Sequence, residues 1–250
     1  MPATRMLIVK TGSAPDAICR EFEDFDAWFA RALPSRPFQL EIIRVDEGQT
    51  LPDHSGESAP VGVLVTGSPA MVSHRHAWSE QAACWLREMH ARRVPMLGVC
   101  YGHQLLAHAL GGPVGPNPHG RRIGTFKIRV TVTDDLLLHA DDDYAPVHST
   151  HVETVLDPPA GARVIATAQG DPHHALYFGA RTWGVQFHPE FNADIMRAYL
   201  RERRELIDAE GLDSTRLIEQ VAAAPLGNRL LARFADLCIQ HRATDHAIGA

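Results

Sequence analysis

Through its first hundred residues the chain alternates two kinds of hydrophobic pattern. Short, nearly continuous apolar runs stand at 5–10 (RMLIVK), 61–65 (VGVLV) and 94–100 (VPMLGVC). Such runs suit strands covered on both faces, whereas FQLEIIRV at 38–45 alternates like a strand with one wetter side. Between them, DAICREFEDFDAWFARAL at 16–33 and SHRHAWSEQAACWLREMHARR at 73–93 repeat their apolar residues at helical spacing. Strands separated by helices of this length predict parallel pairing in an α/β sheet.

After Gly112 the texture changes. GGPVGPNPHGRRIG at 111–124 reads as loop, and five strand-like pieces follow: TFKIRVTVT, YAPVHSTHVETV, ARVIATAQ, HALYFGA and TWGVQFHPE. No linker separates them from the first half, so they are expected to extend the same sheet. Helical spacing returns in ADIMRAYLRERRELIDAEG at 193–211 and in RLIEQVAAAPLGNRLLARFADLCIQHR at 216–242. The predicted organisation is an α/β domain over 1–191 and a C-terminal helical extension over 192–250, packed on that domain.

Composition narrows the chemistry. Of 250 residues, 45% are hydrophobic and 22% charged, as in an ordinary globular protein, and a net charge of −6 gives no reason to expect nucleic acid or an anionic membrane as partner. The apolar stretch near the N-terminus is too short for a secretion signal or a membrane span. Cys19, Cys84, Cys100 and Cys238 are widely spaced, which suits a reducing compartment, and a cytoplasmic location is expected. Fifteen histidines invite a metal, but the pairs His74/His76, His148/His151 and His173/His174 carry no H-E-x-x-H or similar ligand spacing, so neither metal nor cofactor is expected.

One cysteine stands apart. Cys100 ends a buried strand and opens a helix-like run, with Gly98 and Gly102 on either side. G-x-C-x-G is the thiol form of the nucleophile elbow, in which glycines permit a tight strand-to-helix turn that lifts the side chain into a cleft. The free N–H groups of a helix start favour a thiolate there. A nucleophile needs a base and a group to orient it, and TWGVQFHPEF offers His188 and Glu190 two positions apart, which places them on one side of an extended chain.

GVCYGHQLLAHALGG together with WGVQFHPEF resembles the class I glutamine amidotransferases, similar to the glutaminase domain of GMP synthase, over roughly Met6 to Phe191. The resemblance implies a three-layer, flavodoxin-like α/β fold around a mostly parallel sheet, with a β-rich second half. It implies a Cys100–His188–Glu190 triad and an oxyanion hole from the backbone N–H groups of Gly67, in VTGSP, and Tyr101. It also implies substrate contacts at Ser68, Gln104, Ser149, Thr150 and His151. The implied substrate is L-glutamine or a γ-glutamyl compound. The sequence holds no G-x-x-x-x-G-K-[ST] loop, so an ammonia acceptor would be a separate synthetase subunit. Two other readings stand beside this one: a stand-alone γ-glutamyl peptidase or hydrolase, and a non-catalytic binding or regulatory module on the same fold.

Overall fold

The computed structural model describes residues 5–33, 38–53, 59–139 and 143–248, with side chains in the last helix described as far as residue 241. Residues 1–4 and 249–250, the outer ends of the predicted 1–191 and 192–250 division, lie outside the described residues. The strands are β1 (Arg5–Lys10), β2 (Gln39–Arg44), β3 (Gly62–Val65), β4 (Met96–Val99), β5 (Val114–Pro116), β6 (Arg122–Val130), β7 (Pro146–His151), β8 (Glu153–Val155), β9 (Arg163–Ala168), β10 (Asp171–Gly179) and β11 (Thr182–Val185). The helices are α1 (Asp16–Phe22), α2 (Phe25–Ala32), α3 (Ala77–Ala91), α4 (Tyr101–Ala109), α5 (Ala193–Glu202), α6 (Arg204–Ala209), α7 (Ser214–Glu219) and α8 (Leu226–Ile248).

Nine strands form one sheet in the order β2-β1-β3-β4-β11-β10-β9-β6-β7, and β5 pairs with β8 apart from it. From β2 to β11 the strands run parallel, and the β-rich half continues the sheet antiparallel from β10 onward. The continuous apolar runs are explained by coverage on both faces: every residue of β3, β4 and β11 is buried. Along β1 the side chains alternate between two cores. Met6 and Ile8 join Phe29, Leu230 and Phe234 on one face, while Leu7 and Val9 join Leu86 and Leu105 on the other. Helices α2 and α8 therefore cover one side of the sheet and α3 and α4 the other, giving three layers.

Local chemistry shortens several of the predicted elements. The apolar periodicity of 16–33 runs on as one helix, but the chain breaks at Glu23 (φ 68°) and Asp24 caps α2, accepting from its own neighbour Phe25 N at 2.8 Å and from Ala14 N at 2.9 Å. Lys10 Nζ, 2.6 Å from Asp24 Oδ2, holds that carboxylate at the end of β1. The run from Ser73 starts as a 3-10 turn at Val72–His74, because Ser73 is tied to the Glu153 carboxylate, and α3 begins only at Ala77. YAPVHSTHVETV divides at Val152 into β7 and β8, which belong to different sheets. The helical pattern of 193–211 breaks at Arg203 (φ −102°, ψ 14°) into α5 and α6.

The helices after residue 192 share their apolar contacts with the rest of the chain. Leu226, Leu230, Leu231, Phe234 and Cys238 of α8 sit in the same core as Leu64, Leu97 and Trp183. Tyr199, Ile195 and Met196 of α5 pack with Phe25, Trp28 and Phe191 in a third cluster. Truncating a side chain buried as fully as Phe234 (0% exposed) costs about 3–5 kcal/mol. Among the described residues no helix is long and apolar enough to cross a membrane.

Candidate active site

Cys100 occupies the single residue between β4 and α4, with φ 52° and ψ −101°, a conformation that L-residues rarely adopt. Its N–H is fixed to Val185 O at 2.8 Å. The two flanking glycines are required by close approach. A Cβ on Gly98 would lie 2.4 Å from Gly102 O, and one on Gly102 would lie 2.4 Å from Val65 O. Neighbouring strands thus press on the turn, and the thiol is held where β4, β3 and β11 converge.

At the end of β11 the chain delivers His188, whose N–H donates to His148 O at 2.7 Å. Glu190 lies in a turn beyond Pro189, not in the extended chain that the spacing suggested, yet its Oε1 is 2.7 Å from His188 Nδ1. The imidazole stacks on Phe191, with ring centroids 4.1 Å apart. Burial is the largest influence on the ring and works against its charge, but Glu190 and Cys100 together outweigh it and raise the His188 pKa to about 10. Cys100 is thus near enough to influence the ring that the carboxylate orients, while His188 Nε2, the nitrogen not held by Glu190, is buried without a hydrogen-bond partner among the described residues.

The VTGSP loop meets this pair from β3. A Cβ on Gly67 would fall 2.8 Å from His188 Cε1 and 3.7 Å from Cys100 Cβ, so glycine is needed for the backbone to come so near. The Gly67 carbonyl lies within 2.9 Å of the Thr66 hydroxyl and 3.0 Å of the Thr11 hydroxyl, which fixes the orientation of that peptide. Neither the Gly67 nor the Tyr101 backbone N–H has a hydrogen-bond partner among the described residues. Tyr101 itself is locked by its hydroxyl, 2.6 Å from Ser79 Oγ, and by contact with Trp78.

A pocket opens above Cys100, and Ser68, Tyr101, Gln104, Thr150 and His151 are among the residues that line it. Ser68 uses its hydroxyl to hold the loop, donating to Thr11 O at 2.6 Å. Gln104 spends its amide nitrogen on Glu153 O (2.8 Å) and Gln186 Oε1 (3.0 Å), which leaves Oε1 for a ligand. Thr150 offers its carbonyl 3.6 Å from Cys100 Sγ. Ser149 is placed elsewhere: fully buried, it does not line the pocket, and its hydroxyl faces His174 Nε2 at 3.4 Å.

Three charged lining residues escape the sequence reading, namely Glu153, Arg121 and Arg203. Glu153 follows the HSTH segment by two residues, and the change of sheet at Val152 is what turns it toward Ser73 and the pocket. A further group comes together only in the folded chain. His151, Asp171 and His174 have ligand atoms within 4.8 Å of one another, all buried, and this donor set suits a divalent transition metal. Within the set only His174 Nδ1 and Asp171 Oδ2 are hydrogen-bonded, at 2.9 Å; His151 Nδ1 is held by Glu153 O at 2.8 Å, and its Nε2 stands 3.6 Å from Asp171 Oδ2. No spacing rule reveals it, since its members come from β7 and β10.

The model of the class-I glutamine amidotransferase family matches residues 21–204. A glutamine-hydrolyzing GMP synthase from Aeropyrum pernix is 35% identical over 170 residues, which make up 67% of this chain and 32% of that protein. One of the subunits of the glutamine-hydrolyzing GMP synthase from Saccharolobus solfataricus is 34% identical over 131 residues, 51% of this chain and 66% of that one. The chain thus covers 32% of the length of the first of these relatives and 28% of another synthase, from Geobacillus kaustophilus. In fold, a glutamine amidotransferase from Thermotoga maritima superposes with a TM-score of 0.72 at 19% identity, covering 95% of this chain and 99% of that one. That share is too large to leave out the C-terminal helices, which are accordingly part of the common fold.

Proposed function

The chain belongs to the class I glutamine amidotransferase family, and from that premise we propose that it is a glutaminase acting through a cysteinyl thioester. The observation that carries the reading is the His188–Glu190 hydrogen bond of 2.7 Å beside a cysteine held at φ 52°. In this account the Cys100 thiolate attacks the side-chain amide carbon of glutamine. The N–H groups of Gly67 and Tyr101 take the negative charge that develops on the amide oxygen, an interaction whose loss costs about 3 kcal/mol per donor in comparable sites.

His188, charged and oriented by Glu190, then gives its proton to the amide nitrogen, and ammonia departs as the C–N bond breaks. The neutral ring next takes a proton from water, whose oxygen attacks the thioester. Glutamate leaves, and the thiolate and imidazolium are restored. Ammonia would pass to an acceptor site, as the relatives named as glutamine-hydrolyzing GMP synthases suggest, one of them a subunit of such an enzyme. The test is release of glutamate and ammonia from L-glutamine by the purified chain. We expect turnover that Cys100→Ala abolishes; a Cys100→Ala chain as active as the parent would defeat the proposal.

A further inference from the structure

The pocket above Cys100 carries more positive charge than amide cleavage requires. Two guanidinium groups line it: Arg121, just before β6, and Arg203, at the break between α5 and α6. Their situations differ. Arg121 makes a two-pronged pair with Glu210, Nε to Oε2 at 2.7 Å and Nη2 to Oε1 at 2.9 Å. The Arg203 guanidinium has no hydrogen-bond or ion-pair partner among the described residues, and its Nε is buried.

A guanidinium N–H removed from water without an acceptor is costly, and the cost is recovered when an anion binds. The acidic side chain on the same lining does not serve Arg203, because the Glu153 carboxylate is engaged by the backbone and hydroxyl of Ser73. The backbone break is also informative. An unbroken helix through 193–211 satisfies the apolar periodicity, yet the chain interrupts it at Arg203, and that residue reaches the cavity that holds the thiol. The group that fits Arg203 is thus a planar oxyanion inside the substrate pocket.

We propose that Arg203 anchors a carboxylate of the substrate, with Arg121 on the same lining, so that the pocket selects γ-glutamyl compounds bearing that carboxylate. The inference rests on reading the pocket as the γ-glutamyl amide site. Two carboxylates share this chemistry, the α-carboxylate of the glutamyl unit and one carried by the departing amine.

Steady-state kinetics of the full chain and of Arg203→Gln and Arg203→Lys distinguish them, using L-glutamine, L-glutamine α-amide, γ-glutamylglycine and γ-glutamylmethylamide. Arg203→Gln should raise KM about tenfold for substrates with the recognised carboxylate, leave kcat within about threefold, and have no effect on the counterpart lacking it. Arg203→Lys should restore part of the loss. Sensitivity of glutamine but not its α-amide identifies the α-carboxylate; sensitivity of γ-glutamylglycine alone identifies the departing amine. An unchanged KM throughout, or an equal rise with every substrate, overturns the proposal. Should the parent chain turn over none of the four, the glutaminase reading fails, and calorimetric titration with L-glutamate and γ-glutamylglycine still decides the inference: weaker binding of either by Arg203→Gln upholds it, and equal binding of both refutes it.

Discussion

Cys100 shows how a single position trades stability for chemistry. Its positive φ costs of the order of 1–3 kcal/mol, and the fold tolerates it because β3, β4 and β11 enforce the turn. Cys100→Gly and Cys100→Ala both remove sulfur, but only glycine relieves the backbone. Urea denaturation should therefore find the glycine variant more stable by about 1 kcal/mol, with neither variant turning over glutamine. Cys238→Ala, in the core of α8, should keep its turnover, and equal loss in both cysteine variants would show that the assay follows folding. Glu190→Gln should slow turnover less than His188→Ala, since one side chain orients and the other moves protons; kcat/KM values in the opposite order would contradict these roles. The corner was legible in the sequence because its requirement is local: two glycines and a thiol within five residues. Ser149 was not, because its hydroxyl turns to His174, a residue of β10 that no motif links to it.

At the scale of elements, α8 packs closely against the His188–Glu190 turn. Gly227, near its start, lies so close to Pro189 that an added Cβ would fall 2.3 Å from the Pro189 carbonyl oxygen. Gly227→Ala should therefore displace the His188–Glu190 turn and lower kcat at least tenfold, with a smaller drop in melting temperature. Steady-state rates alongside thermal melts check this, and an unchanged kcat would show that the turn is held by other contacts. Strand and helix order was readable from hydrophobic period, and so was the addition of the β-rich half to the same sheet. The interruptions at Glu23 and Arg203 were not, because each changes the backbone at a single residue and leaves the apolar spacing intact. Arg203 shows the consequence: read as one more polar position on a long helix, it lines the pocket instead.

The molecule as a whole buries several histidines, and its stability should follow their protonation. Burial lowers the pKa of His103 to about 3 and of His148 and His151 to about 4, and Asp171, despite burial, is held below the usual carboxylate range by His174 and its neighbours. Unfolded, these histidines titrate near about 6.5, so the unfolded chain takes up protons that the native one refuses as pH falls from about 6.5 toward 4. Each histidine then costs up to about 1.4 kcal/mol per pH unit. His188, raised to about 10, acts in the opposite sense: its contribution is complete below about 6.5 and is lost as pH rises through 10. Urea midpoints should peak near neutrality and fall more steeply on the acid side; a midpoint unchanged between about pH 6.5 and 4.5 would contradict the burial of these rings. The claim on which the functional account depends concerns one sulfur atom. Mass spectrometry of the folded chain after exposure to an electrophilic glutamine analogue tests it most directly. The account predicts one adduct, on the peptide carrying Cys100, suppressed by excess glutamine; labelling of Cys19 or Cys84 with Cys100 left unmodified would contradict it.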